Sequence, residues 1–424
     1  MVKRQRWPLI VSLTTFVAAM ACATVTGFNP LGGPTAPPAT SAAPAPVSDR
    51  HLEVLQAVDQ AVREQYIRAD LDGADWEAAV RAAQDQLTAG LSEDEFAAVM
   101  RTLVSTLPAG KAAFITRAER IALETADTST YQGIGVYYGF RETPEPRVVI
   151  LSVIPDSPAE AAGLQAHDAI YAVDGQPVRA DERDTIVNRI RGPADTSVTL
   201  TVQSPGQPRR DVTLQRGTIT ATDAPRGGAL GNTGVVYYRV PVASGPELAQ
   251  LIAGDLSASQ PVSPTTGIIL DLRLAGATSG WPLLEMLTLF TTGDLGEFYS
   301  RTTTEPLSVD GSDVAGSQTT PLVLLIGPDT RGAVEIFAGI LQGAGRARLF
   351  GLPTPGAMEG FSEFDLPDGS QLSIATSSFR LPDGTDLAVG GLVPDQAVDS
   401  DWDTFAGADD DPVLSAALTS LLAP

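Results

Sequence analysis

Apolar positions in the first folded stretch recur at helical spacing. From His51 to Tyr66 they are Leu52, Leu55, Val58, Val62 and Tyr66, one face of a helix. A second helix is predicted over Asp75 to Ala89, carrying Trp76, Ala79, Val80, Ala83 and Leu87 inward. Ser92-Glu93-Asp94-Glu95 reads as a capping box opening a third, with Phe96, Val99, Leu103 and Leu107 behind it. Trp76 and Tyr66 are expected in the core of this small helical region. Beyond residue 128 the pattern shortens to strands and turns: Gly133–Tyr138, Arg147–Val153, a short helix at Ala159–Ala162, and a strand from Asp168 closed by Asp174-Gly175. A helix at Glu182–Arg191 and a strand at Ser197–Val202 follow. The remainder alternates as α/β: strand Val235–Val240, helix Gly245–Leu256, buried strand Thr266–Arg273, helix Pro282–Leu289, the most apolar strand Pro321–Gly327, helix Gly332–Gln342, and a last hairpin after Phe364–Ser370. Asp409-Asp410-Asp411-Pro412 is expected to cap a final helix, Val413–Leu422, rather than to hold calcium.

The N-terminus has a different character. Lys3, Arg4 and Arg6 precede the apolar run Leu9–Ala21, which as a helix spans about 20 Å, short of the ~30 Å hydrocarbon core. It reads as the core of a signal peptide. Ala19-Met20-Ala21-Cys22 resembles a bacterial lipobox, so Cys22 is the expected lipidation site; a secreted protein or an anchor kept by an uncleaved signal are the alternatives. Residues 23–48 contain no charge and are rich in proline, the composition of an extended tether. The expected location is the outer face of a bacterial membrane, touched by the lipid alone.

Charge and composition narrow the chemistry. Acidic residues outnumber basic ones 51 to 28, leaving a formal charge of −23, which repels phosphate backbones and makes nucleic acid a poor partner. Cys22 is the single cysteine, and His51 and His167 are the two histidines, so neither a multi-cysteine nor a multi-imidazole metal site can be built. No metal and no cofactor is assigned. The lysines are Lys3 and Lys111 alone. That scarcity bears directly on catalysis.

The stretch from Gln132 through Val202 resembles a PDZ domain of the circularly permuted type found in bacterial proteases. The resemblance implies that Gln132-Gly133-Ile134-Gly135 forms the loop whose backbone N–H groups meet a peptide's terminal carboxylate. Ile134 would border an apolar pocket with Val187 and Ile190, and the partners would be peptide or protein C-termini. A simpler reading is that these glycines only shape a turn before an edge strand. His167, in a following turn, is expected to be solvated.

The Ile269-Leu270-Asp271-Leu272-Arg273 strand, Glu335-Ile336-Phe337-Ala338-Gly339, the Phe364–Gly369 segment with its Leu-Pro-Asp-Gly, and Gly391-Leu392-Val393-Pro394-Asp395 resemble the carboxyl-terminal processing (tail-specific) serine peptidases, family S41. The implied fold is multi-domain α+β: a helical arm (49–128), the PDZ domain (129–216) and a crotonase-like α/β core (217–424), after a signal segment (1–22) and linker (23–48). In that family the nucleophilic serine stands three residues before the glutamate and a lysine base follows about 25 residues later. Here those positions hold Gly332 and Ala357, and Phe361 stands where many members have a glutamine. The glycine-rich oxyanion loop reads Leu274-Ala275-Gly276-Ala277-Thr278-Ser279-Gly280. Arginine stays protonated and cannot serve as the base, and nothing in the sequence pairs Ser279 or Thr330 with a carboxylate. The expectation is therefore an exported pseudoprotease that binds C-termini, with any partner protease unknown. The alternative is an active S41 serine endopeptidase with another nucleophile and base.

Overall fold

The computed structural model describes residues 47–87, 91–125, 130–182, 185–220, 226–242, 244–259, 265–276, 280–405, 407 and 410–423. The lipobox with Cys22, nearly all of the linker, and Ala277 to Ser279 of the oxyanion loop lie outside them. The folded body opens with α1 (Val47–Gln65), α2 (Trp76–Leu87) and α3 (Glu93–Val104), then β1 (Ala112–Ile115) and α4 (Arg117–Thr125). The capping box at Ser92 forms in full, with Glu95 reaching back to the Ser92 amide at 2.9 Å. Trp76 and Tyr66 are buried in a core that also takes Leu372 and Ile374 from a strand far along the chain. The arm is thus not purely helical: β1 pairs with that distant strand, Ala112 opposite Ile374.

The second region holds β2 (Thr130–Gly133), β3 (Val136–Arg141), β4 (Arg147–Val153), α5 (Pro158–Ala161), β5 (Ala169–Val173), β6 (Gln176–Pro177), α6 (Ile186–Ile190), β7 (Ser197–Gln203), β8 (Arg210–Gln215) and β9 (Gly217–Thr220). Strands β3-β4-β5-β7-β8 form an antiparallel sheet with β3 at its edge, while β2 pairs with β9 as a separate ribbon. Ile134, Ile150, Leu164, Ile186 and Ile190 fill its core.

The third region is layered. It comprises β10 (Arg226–Ala229), β11 (Val235–Arg239), α7 (Leu248–Ser259), β12 (Gly267–Asp271), α8 (Leu283–Phe290), β13 (Gly293–Ser300), β14 (Thr304–Val309), β15 (Leu322–Ile326), α9 (Ala333–Gly343), β16 (Ala347–Gly351), β17 (Gly360–Asp365), β18 (Gln371–Arg380), β19 (Gln396–Ala397) and α10 (Pro412–Leu422). The order β10-β11-β12-β15-β16-β19 makes a sheet parallel throughout except at β10. Parallel strands buried on both faces read as unbroken apolar runs. In β15, Leu322, Leu324 and Ile326 face α7, α8 and α9, while Val323 and Leu325 face Val413, Leu414 and Ala417 of α10. A second sheet, β1-β18-β13-β14 with β17 on β18, joins the arm to this core.

Candidate functional site

The turn that carries residue 332 is fixed from below. After β15, the Thr330 hydroxyl accepts from the Gly327 amide at 3.0 Å and donates to the Leu272 carbonyl at 2.9 Å. That hydroxyl is fully buried and spent on the backbone, so it offers no nucleophile. Gly276 lies so close to Arg331 that a Cβ would sit 2.2 Å from the Arg331 carbonyl oxygen. Gly332 then caps α9 at φ 65°, ψ −135°, a region open in practice to glycine. A Cβ there would meet nothing nearer than the Gly276 carbonyl oxygen at 3.9 Å.

The loop after β16 returns to the same point. The Gly332 amide donates to the Ala357 carbonyl at 2.9 Å, so the two positions singled out by spacing touch through their backbones. Beneath them the Glu335 carboxyl is fully buried, its Oε1 accepting from the Gly356 amide at 2.9 Å while Oε2 has no hydrogen bond among the described residues. Burial raises its pKa, opposed by the Thr354 hydroxyl and the nearby amides. Thr354 anchors the loop, its hydroxyl accepting from the Leu392 amide at 2.8 Å. Phe361, on β17, is half exposed.

Lys111 belongs to the arm in sequence, yet its ammonium reaches this loop. It donates to the Gly356 carbonyl at 3.4 Å and forms an ion pair with Glu359, whose side chain is 2% exposed. No local signal in the sequence announces this contact.

In the PDZ region the quartet from Gln132 to Gly135 is not a free loop. Gln132 and Gly133 finish β2, opposite Thr218 and Gly217 of β9, because the ribbon β2–β9 extends to them. Gln132 also accepts from the Ala194 amide through Oε1 at 3.2 Å. Ile134 is interior packing together with Ile190, and Val187 is half-buried beside it on α6. Gly135, at φ 87°, approaches Ser157 so closely that a Cβ would lie 2.2 Å from the Ser157 Cβ. The amides of Ile134 and Gly135 donate to no group among the described residues, while their carbonyls accept from Ala159 and Ile154.

His167 is not solvated. It is 7% exposed and stacks on Trp402 at 4.1 Å, its Nδ1–H donating to the Trp402 carbonyl at 2.5 Å, and burial lowers its pKa. Around it the PDZ region is tied to the core. Arg141, at the end of β3, pairs with Asp329 (2.5 Å) and Asp401 (3.0 Å), and Arg147 with Asp403 (2.5 Å).

The geometry agrees with comparisons to known proteins. Residues 247–398 match the model of peptidase family S41, and residues 149–204 match a PDZ domain model. The chain carries an S41 peptidase domain behind a PDZ domain. It is 29% identical over 325 residues to the carboxyl-terminal-processing protease of Picosynechococcus sp., covering 71% of this chain and 72% of that protein. It is 27% identical over 367 residues to the chloroplastic C-terminal processing peptidase of Tetradesmus obliquus, covering 82% and 76%. The solved photosystem II D1 C-terminal processing protease superposes with a TM-score of 0.62 at 23% identity, over 83% of this chain and 94% of that one. The S41 domain therefore has the fold of the serine-type processing peptidases, with a helical region and a PDZ domain before it.

Proposed function

We propose that this protein is an exported pseudoprotease that captures protein C-termini through its PDZ domain. One observation carries the reading. Gly332 and Ala357, which the family spacing sets at its serine and lysine positions, lie in backbone contact at 2.9 Å, and neither residue carries a group that can move a proton. Serine chemistry requires a hydroxyl beside a neutral base, and no lysine follows Lys111 in the chain. Purified protein incubated with unfolded substrates is expected to yield no time-dependent cleavage. Cleavage abolished by a point change in the S41 core would sink the proposal.

A second reading, an active serine endopeptidase with a relocated base, draws on Lys111, whose ammonium lies 3.4 Å from the Gly356 carbonyl. Its ammonium is held in an ion pair with Glu359, and Gly332 supplies no nucleophile for it. Activity that disappears in Lys111→Met would favour this reading.

C-terminus capture draws support from the unengaged amides of Ile134 and Gly135, neighbouring donors at the start of the edge strand β3. A peptide adding as a strand to β3 would place its carboxylate there and its last side chain toward α6. Peptides with a free C-terminus and an apolar last residue are expected to bind at least about tenfold more tightly than their amidated forms, equivalent to about 1.4 kcal/mol. Equal binding in a titration of both series would remove carboxylate capture and leave the domain as a spacer.

Export is proposed from the basic start, short apolar run and lipobox-like Ala19–Cys22. Cys22→Ala is expected to move the protein out of the membrane fraction. Persistent lipid labelling of that variant would refute the assignment.

A further inference from the structure

Away from the S41 site, a cavity of about 420 Å³ opens among the starts of α1, α3 and α4, the end of β1 and the turn Asp368–Ser370. That volume falls within the ~300–1,000 Å³ of ligand pockets. Phe96 and Phe114 line it as an edge-to-face pair, centroids 6.1 Å apart. His51 also lines it, 2% exposed and stacked on Phe96 at 3.9 Å with the planes 2° apart. Among the described residues neither ring nitrogen of His51 has a hydrogen-bond partner, and Glu93 Oε1 stops 3.7 Å from Nε2. Buried polar groups are nearly always paired, so an unpaired buried imidazole at a cavity wall marks a place for a missing partner.

The rim adds charge of both signs. Arg117, exposed, makes no ion pair or hydrogen bond among the described residues, and Arg50 makes a long 3.5 Å contact to the Pro367 carbonyl. Two guanidiniums with no carboxylate partner among the described residues thus share the cavity with Glu93, an exposed carboxylate, above an aromatic wall. A purely apolar ligand would strip water from Arg117 and Glu93 without replacing it. A purely anionic ligand would meet Glu93 and Asp94, which also line the cavity.

We propose that this pocket binds a small zwitterion with an apolar side chain, a free α-amino acid or a dipeptide. Its carboxylate would take the fork of Arg117 with Arg50 beside it, a geometry guanidinium groups favour. Its ammonium would donate to Glu93 and to the unpaired imidazole of His51. Its side chain would rest on Phe96 and Phe114. The site stands independently of how the S41 core is read.

Calorimetric titration of the full chain with L-phenylalanine, L-leucine and the Phe-Leu dipeptide tests it, and their relative affinities separate free amino acid from short peptide. N-acetyl-L-phenylalanine and L-phenylalaninamide, each lacking one charge, are expected to bind at least about tenfold more weakly, as is L-phenylalanine to Arg117→Gln. His51→Phe keeps the stack on Phe96 and is expected to weaken binding while leaving the circular dichroism unchanged. Should that buried variant misfold, the exposed Arg117→Gln still decides. Absence of saturable binding to wild type, equal binding of the blocked compounds, or undiminished binding by Arg117→Gln would each overturn the proposal.

Discussion

Arg273→Met is expected to lower the stability of the S41 domain by about 3–5 kcal/mol at neutral pH, a large part of the ~5–15 kcal/mol that holds a typical domain together. Arg273 leaves the end of the buried strand β12 and is 7% exposed. Its Nε donates to Asp271 Oδ1 at 2.9 Å, and Nη2 donates to Asp271 Oδ2 at 2.6 Å and to Asp411 Oδ2 at 2.5 Å. Nη1 completes a bidentate grip on Asp411 at 3.1 Å. Asp411 is also the N-cap of α10, accepting from the amides of Val413 and Leu414 at 3.0 and 3.1 Å. One guanidinium therefore fastens the C-terminal helix to the sheet. Removing it leaves two carboxylates buried without a counter-charge.

Acid gives this prediction a signature. Burial alone would raise the pKa of Asp271, but Arg273 outweighs burial and holds it below the usual carboxylate range. A depressed folded pKa contributes stability that is present above the unfolded value, near 4, and lost as pH falls through the folded one. In Arg273→Met burial is opposed only by the Tyr237 hydroxyl and the residue-273 amide, so Asp271 takes up a proton at higher pH than in the wild type and its charge penalty fades on acidification. The gap between wild type and variant should be widest near neutrality and narrow toward pH ~4. Urea unfolding at several pH values measures it; a gap independent of pH would mean that Arg273 acts through packing of its stem rather than through charge.

The sequence showed most clearly what local pattern controls. β12 and β15 were legible because both of their faces are buried, and α1 and α3 because their apolar stripes hold the helical period. The hairpin β13–β14 was not, since a bulge between Asp294 and Gly296 breaks its alternation and much of it is half-exposed. Gly296 sits there because a Cβ would lie 2.2 Å from the Arg380 carbonyl oxygen, a contact made across the fold. β1 was missed for a related reason: its strand form depends on β18, some 260 residues away. Gly332 and Ala357 were singled out by spacing alone, and what the structure adds is that the Gly332 amide meets the Ala357 carbonyl at 2.9 Å. Lys111, 245 residues from the Gly356 carbonyl it meets, and His167, 235 residues from the Trp402 carbonyl, could not be placed that way. Contacts between sequence-distant side chains leave no periodic trace.

Restoring the family residues in Gly332→Ser/Ala357→Lys is expected to leave proteolysis far below that of a competent processing peptidase, by about 10²–10³-fold for each oxyanion donor that is missing. Space is not the obstacle, since a Cβ at 332 would meet nothing closer than 3.9 Å. Conformation is part of it: at φ 65°, ψ −135° a serine stores strain on the order of 1–3 kcal/mol. The larger part is expected from the loop at 274–280, which by its resemblance to the family stands in place of a glycine-rich run and whose Leu274 and Ala275 are buried in apolar packing. The Gly276 carbonyl is the group nearest to a side chain at 332. The measurement is cleavage of an unfolded substrate by the double variant under single-turnover conditions, beside wild type and each single variant. Turnover approaching that of an active processing peptidase would show that the serine–lysine pair alone separates this chain from catalysis and that the loop at 274–280 still supplies its donors.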